Sequence, residues 1–317
     1  MTGTGVDATP TAPAPTGTAG PWFGVFLPQM RMSWPTMVDR VLSAETAGFD
    51  SAWLMDHMAP PGAPDQPTFE GWALAAALAA RTTRIRLGHL VTCDAFRHPA
   101  VLAKMAATTD VISDGRLDLG IGWGSVPEEL QTYGIPSGPA AARASRLRES
   151  LEVIQLMFSG ERFDYAGEHF TLDQAIGLPR PTQAHVPVHI GGAGEKLTMP
   201  IVREYADWWN CPTYGVARLA ELRELAGDAR CSVQHPIALA PDEAGRADVL
   251  EKAQRRFGSW GGLIAGTSTE VADALAAEVA AGVDGFVLQF TDFGQPETLA
   301  QFMAEVAPVA AATSPAA

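Results

Sequence analysis

The chain has 317 residues and a formal net charge of −14, with 22 Lys and Arg against 36 Asp and Glu. That balance argues against nucleic-acid and anionic-membrane partners, because phosphate contacts need clustered cations. Three cysteines, Cys93, Cys211 and Cys231, are too few and too scattered for a disulfide framework or a zinc cluster, which agrees with a reducing compartment. No stretch is apolar for long enough to cross a bilayer, and the first residues lack the basic start and apolar run of a signal peptide, so a cytoplasmic protein is expected.

Residues 1–20 are mostly Thr, Pro, Ala and Gly and bury almost nothing; they are expected to be a disordered tail, as are residues 312–317. Residues 21–311 contain no Gly-, Ser- or Pro-rich linker and are read as a single domain. Trp22–Gln29 is a β-rich run, followed by helical spacing from Ser33, a cap ahead of Pro35, to Gly48. Ser51–His57 (SAWLMDH) is apolar on both alternating faces, the mark of a parallel strand covered on both sides. A helix from about Pro67 to Thr82 is apolar all round, so it is expected to pack on the sheet with one side and on a second subunit with the other. Ile85–Cys93 is strand three, with Gly88 as a bulge candidate, and His98–Ser113 is the next helix. Arg116–Gly124 is strand four; a short helix near Glu128 and a long one from Ala141 to Phe158 follow it. Gly160–Ala184 is irregular, with a hairpin turn at Tyr165–Glu168.

Val186–Gly192 is strand five and Glu195–Tyr205 its helix; Asp207–Cys211 is strand six, Val216–Leu225 a helix, and Cys231–Leu239 strand seven. Helical spacing recurs over Asp248–Arg256 and Thr269–Ala281, the second capped by Thr267 or Ser268. Asp284–Phe290 is strand eight, before a last helix, Pro296–Val309. Eight strand-helix units in one domain predict an α/β fold, a (β/α)8 TIM barrel with insertions after strands four and seven.

Ligands of such barrels gather at the carboxyl ends of the strands, which is where Asp56 and His57 fall. The same pair has a structural reading, since Asp after a strand often caps a helix. Ile190–Gly194 (IGGAG) ends strand five and leads into a helix, so exposed amides there can hold a phosphate without net positive charge, although any tight turn can use glycine. Gly120, Gly122 and Gly124 begin inside a strand and lack the spacing of a dinucleotide fingerprint. His89, His98, His189 and His235 show no HxH or HExxH spacing, which argues against a metal. Most tryptophans, including Trp22, Trp53, Trp208 and Trp209, are expected in the core.

The run FRHPAVLAKMAATTDVISDGRLDLGIGWG (Phe96–Gly124), then EE and YGIP, RLRESLEVIQLMFSG, PVHIGGAG and ADWWN, resembles the luciferase-like monooxygenase superfamily, particularly its branch dependent on the deazaflavin coenzyme F-420. The resemblance spans about Phe23 to Phe290 and implies the same barrel, that cofactor and a homodimer. It implies that Asp56 and His57 are the pair at the end of strand two, with His57 beside the reactive carbon passing protons. Leu90, Val91 and Thr92 match a bulged segment that supports the ring, often with a non-proline cis peptide, here expected between Leu90 and Val91. Gly122, Trp123 and Glu129 match the strand-four border of the cofactor, and Gly191, Gly192, Ala193 and Gly194 its phosphate-binding turn.

The chain departs from that pattern at one place. Enzymes of this kind that oxidise a sugar phosphate carry an acid directly after the strand-four glycines; here that residue is Ser125, with Glu128 three positions on, which speaks against a sugar-phosphate dehydrogenase. The expected activity is hydride transfer between coenzyme F-420 and a small organic substrate. The alternatives are an FMN-dependent monooxygenase on the same barrel and a barrel that binds its cofactor without turnover.

Overall fold

The computed structural model describes residues 20–136 and 138–312, so the two expected tails lie almost wholly outside the described residues. Eight parallel strands close a barrel: β1 (Trp22–Phe26), β2 (Ser51–Leu54), β3 (Arg86–His89), β4 (Leu117–Gly122), β5 (Val188–Gly191), β6 (Trp208–Cys211), β7 (Arg230–Leu239) and β8 (Gly285–Phe290). Each pairs with its neighbour in chain order, and β8 returns to pair with β1. The expected (β/α)8 barrel is therefore observed, with its insertions after β4 and β7.

The helices follow from local chemistry. Helix α1 (Trp34–Ala47) starts where Ser33 accepts the Thr36 amide and stops at Gly48, whose φ of 108° is left-handed. Helix α2 (Gly71–Ala79) is shorter than the sequence suggested, because Glu70 caps it by accepting the amides of Trp72 and Ala73. Helix α3 (Pro99–Ile112) opens on His98, whose Nδ1 accepts the Ala100 amide. After β4 come α4 (Pro127–Thr132), α5 (Ala140–Ser159) and a hairpin, Phe163–Ala166 with Thr171–Ala175. The hairpin's tip closes at Gly167–Phe170, slightly later than expected, where the Glu149 carboxylate collects the amides of Glu168, His169 and Phe170. After β7, helices over Arg246–Phe257 and Ser268–Ala280 flank a short strand, Ile264–Gly266, that the sequence did not announce; Thr267 forms a full capping box with Glu270. The final helix, Pro296–Ala311, widens to a π-type turn at Phe302–Val306, just ahead of Pro308, which has no amide to donate.

Two apolar regions hold the barrel. One lies between strands and helices; the other fills the lumen with Trp22, Trp53 and Trp208, packed with Phe26, Met55 and Val287. The ring centroids of Trp22 lie 6.0 Å from Trp53 and 5.4 Å from Trp208. Gly88 does not form the bulge expected of it: it pairs regularly with Asp118, and a Cβ there would meet the Trp53 ring at 2.6 Å. The bulge comes just after it. Pairing with β4 advances from Gly88 to Thr92 while the partner advances only from Asp118 to Ile121, so one extra residue swings out at Leu90–Val91, where the peptide is cis as expected. Gly120 makes that course possible, because a Cβ on it would lie 1.8 Å from the His89 carbonyl oxygen.

Candidate functional site

Strand β2 ends at Leu54, and the chain continues through Met55 to place Asp56 and His57 beyond the carboxyl end of the barrel. His57 Nδ1 lies 2.8 Å from Glu129 Oε2, and the other oxygen of the same carboxylate accepts the amides of Met58 at 2.6 Å and Ala59 at 3.2 Å. Glu129, in the first turn of α4, thus fixes both the imidazole and the loop that carries it. Asp56 points elsewhere. Its carboxylate is buried, accepts two hydrogen bonds from Arg97 at 2.6 and 3.0 Å, and accepts the Cys93 amide at 2.8 Å. It ties the end of β2 to the segment leaving the bulge, and Arg146 secures that segment further through the Asp94 carboxylate and the Arg97 carbonyl.

These side chains surround a cleft of about 250 Å³. Asp56, His57, Leu90, Val91, Gly122, Trp123, Glu129, Gly191 and Gly192 all line it, so the structure brings the strand-two histidine and the strand-five glycine turn to one mouth. Thr92, Ala193 and Gly194 do not line it: Thr92 is fully buried in the sheet, and the other two lie further along the turn. Five lining residues were not singled out from the sequence: Cys93, Val126, Leu130, Asn210 and Gln234. Asn210 and Gln234 carry the one legible signal, a polar residue in the lumen-facing phase of an otherwise buried strand. Cys93 is no nucleophile, since burial pushes its thiol up to about 12.

The glycine turn has its own geometry. Gly192 has a φ of 122°, donates to the Asn210 carbonyl, and its own carbonyl accepts the Trp209 indole N–H. The Gly194 carbonyl accepts the amides that begin helix α6 (Thr198–Tyr205). Among the described residues, the amides of Ala193, Gly194, Glu195 and Lys196 have no hydrogen-bond partner, which is the donor set an anionic group needs.

The four histidines weighed as metal ligands are dispersed. His89 packs on Trp72 and His98 caps α3; His189 lies in the lumen against Trp53 and Trp208, and His235 bridges the Gly262 carbonyl and Glu278. Among the described residues no three His, Cys, Asp or Glu side chains are grouped to hold a metal.

A family model, luciferase-like monooxygenase, matches residues 8–313, nearly the whole chain. The chain belongs to this family. An F420-dependent glucose-6-phosphate dehydrogenase from Amycolatopsis mediterranei is 35% identical over 177 residues, covering 54% of this chain and 50% of that protein. One from Kineococcus radiotolerans is 28% identical over 327 residues, covering 86% and 92%. The chain spans about half the length of the first curated relatives it matches, at 49% and 50%. Among solved structures, an F420-dependent secondary alcohol dehydrogenase in complex with an F420-acetone adduct aligns with a TM-score of 0.78 at 20% identity, over 92% of this chain and 99% of that one. The monooxygenase RslO1 from Streptomyces bottropensis aligns with a TM-score of 0.74 at 22% identity, over 90% and 99%. At these identities the structural likeness speaks to the fold.

Proposed function

We propose that this protein is an oxidoreductase dependent on coenzyme F-420, acting on a small organic substrate in the cytoplasm. The observation that carries the reading is that His57 and the Gly191–Gly192 wall open onto one cleft. The residues present fit the cofactor: Leu90, Val91 and Trp123 offer apolar contact to a flat ring, Gly122 and Gly191 allow close approach, and the free amides from Ala193 to Lys196 suit a phosphate. When bound, the deazaflavin supplies a ring carbon that accepts or delivers a hydride.

The protein's own part is proton handling. With Nδ1–H donated to the Glu129 carboxylate, Nε2 of a neutral His57 is the free lone pair that can take a proton, and Nε2–H of the imidazolium can return it. One residue therefore serves either direction of reaction. The homologues named as F420-dependent dehydrogenases support the cofactor assignment. Titration of the cofactor-free protein with coenzyme F-420 and with FMN tests it: saturable F-420 binding at least about tenfold tighter than FMN is expected, and the reverse order overturns it.

An FMN-dependent monooxygenase is the second reading, since the fold is shared with RslO1 and with a Baeyer-Villiger monooxygenase solved with FMN. Tighter FMN binding in the same titration would select it. We further propose a homodimer through α2 and α3. Trp72, Leu74, Ala75 and Leu78 of α2 are buried, whereas Ala73 and Ala77 on its other side are exposed, as are Val101, Val111 and Ile112 of the neighbouring α3.

A further inference from the structure

We propose that the substrate admitted to this cleft is an uncharged organic molecule with an apolar body, and that phosphorylated or carboxylated molecules are refused; the inference rests on the oxidoreductase reading above and names its substrate class. No Lys or Arg lines the cleft. Residues 1–19, 137 and 313–317, which lie outside the described ones, contain neither.

The ionic groups that do line the cleft are already matched. Asp56 has both Nη groups of Arg97, whose side chain is only 14% exposed, and Glu129 has His57 and two amides. Once the amides of the glycine turn are taken by the cofactor's phosphate, an incoming anion would meet two carboxylates with no spare cation to offset them. Helix α4, the one that begins at this wall, offers no relief either: Glu128 and Glu129 occupy its first turn and balance its positive end.

What remains for a substrate is neutral. Beyond Trp123, Val126 and Leu130 continue the apolar wall, and the polar contacts left are the Ser125 hydroxyl, the Gln234 side-chain amide and the Asn210 side-chain carbonyl, whose Nδ2 already donates to Ser232 Oγ. Ser125, directly after the β4 glycines, brings a hydroxyl and no charge to the wall, and Glu128 is exposed and outside the lining.

The test is competitive binding with matched pairs that differ in charge: cyclohexanone against its ring-carboxylated analogue, and benzaldehyde against terephthalaldehydic acid, with glucose 6-phosphate as a third anion. Binding is read by quenching of tryptophan fluorescence, on protein saturated with coenzyme F-420 and on protein alone. Failure of the cofactor to bind is thereby seen separately from the ranking of the pairs. The neutral member of each pair is expected to bind at least about tenfold more tightly than its anion. On the cofactor-saturated protein, equal or tighter binding of the anions or saturable binding of glucose 6-phosphate would overturn the proposal, as would no binding of either neutral probe to either form. Ser125→Arg, or Ser125→Lys if that variant does not fold, is expected to narrow the preference at least about threefold; an unchanged ratio would mean that charge at the cleft wall does not set it.

Discussion

Glu129 accepts His57 Nδ1 and the amides of Met58 and Ala59 together, so the tilt of the ring and the path of its loop depend on one carboxylate. His57→Ala should leave the affinity for coenzyme F-420 within about threefold and lower turnover at least about tenfold. Glu129→Gln should lower turnover by a similar factor while a binding titration stays nearly unchanged, because the amide cannot serve the ring and both backbone donors as a carboxylate does. Arg97 makes a different demand. Arg97→Met strands the buried Asp56 charge and should cost roughly 3–5 kcal/mol in urea unfolding, whereas adding Asp56→Asn should recover most of that loss. His89 supplies a pH dependence. Burial holds its pKa below the ordinary 6.5, so it is neutral in the folded chain, while the unfolded chain takes up a proton as pH falls below that value. Its contribution is complete above about pH 6.5 and is lost toward lower pH at up to about 1.4 kcal/mol per unit. Thermal melts of His89→Phe should therefore decline less on acidification than those of the parent. The sequence made the Asp56–His57 pair visible because it ends an apolar strand. It did not reveal that the two face different partners, since Arg97 and Glu129 lie 41 and 72 residues away.

Strand β3 gains one residue on β4 between Gly88 and Thr92, and the floor of the cleft is built from that excess. The glycines of β4 are the other half of the arrangement. Gly120→Ala would put a methyl 1.8 Å from the His89 carbonyl oxygen and should destabilise by at least about 3 kcal/mol or prevent folding. Gly191→Ala, whose nearest neighbour would be 3.8 Å away, should keep stability within about 1 kcal/mol and reveal its effect in the cofactor titration. Chemical denaturation of the two variants checks the contrast. From the sequence the GIGWG run lacks the spacing of a dinucleotide fingerprint, and the reason for its glycines lies in the segment His89–Cys93 that packs against them. Strand and helix order were legible because each unit carries its own periodicity and caps. The short strand at Ile264–Gly266 was not, because three residues hold too little pattern.

The closed barrel was readable from eight alternating units, whereas the quaternary arrangement depends on which faces stay uncovered. With Val101 53% exposed, Val111 45% exposed and Ala73 and Ala77 open on the adjoining helix, the face made by α2 and α3 carries uncovered apolar side chains in the single chain, with Lys104 and Thr108 set among them. Analytical ultracentrifugation should find a dimer, and Ala77→Glu combined with Val111→Glu should convert it to a monomer with unchanged helix content. The lumen has a consequence of another kind. Three indoles contributed by β1, β2 and β6 sit with their centres 5.4 and 6.0 Å from the shared ring of Trp22. Chromophores that close exchange excitation, so the circular dichroism of this protein should carry a paired positive and negative exciton band. Because β6 enters the chain long after β1 and β2, any loosening that parts those strands and spares the outer helices would extinguish that band alone, giving the closed sheet an optical signature of its own.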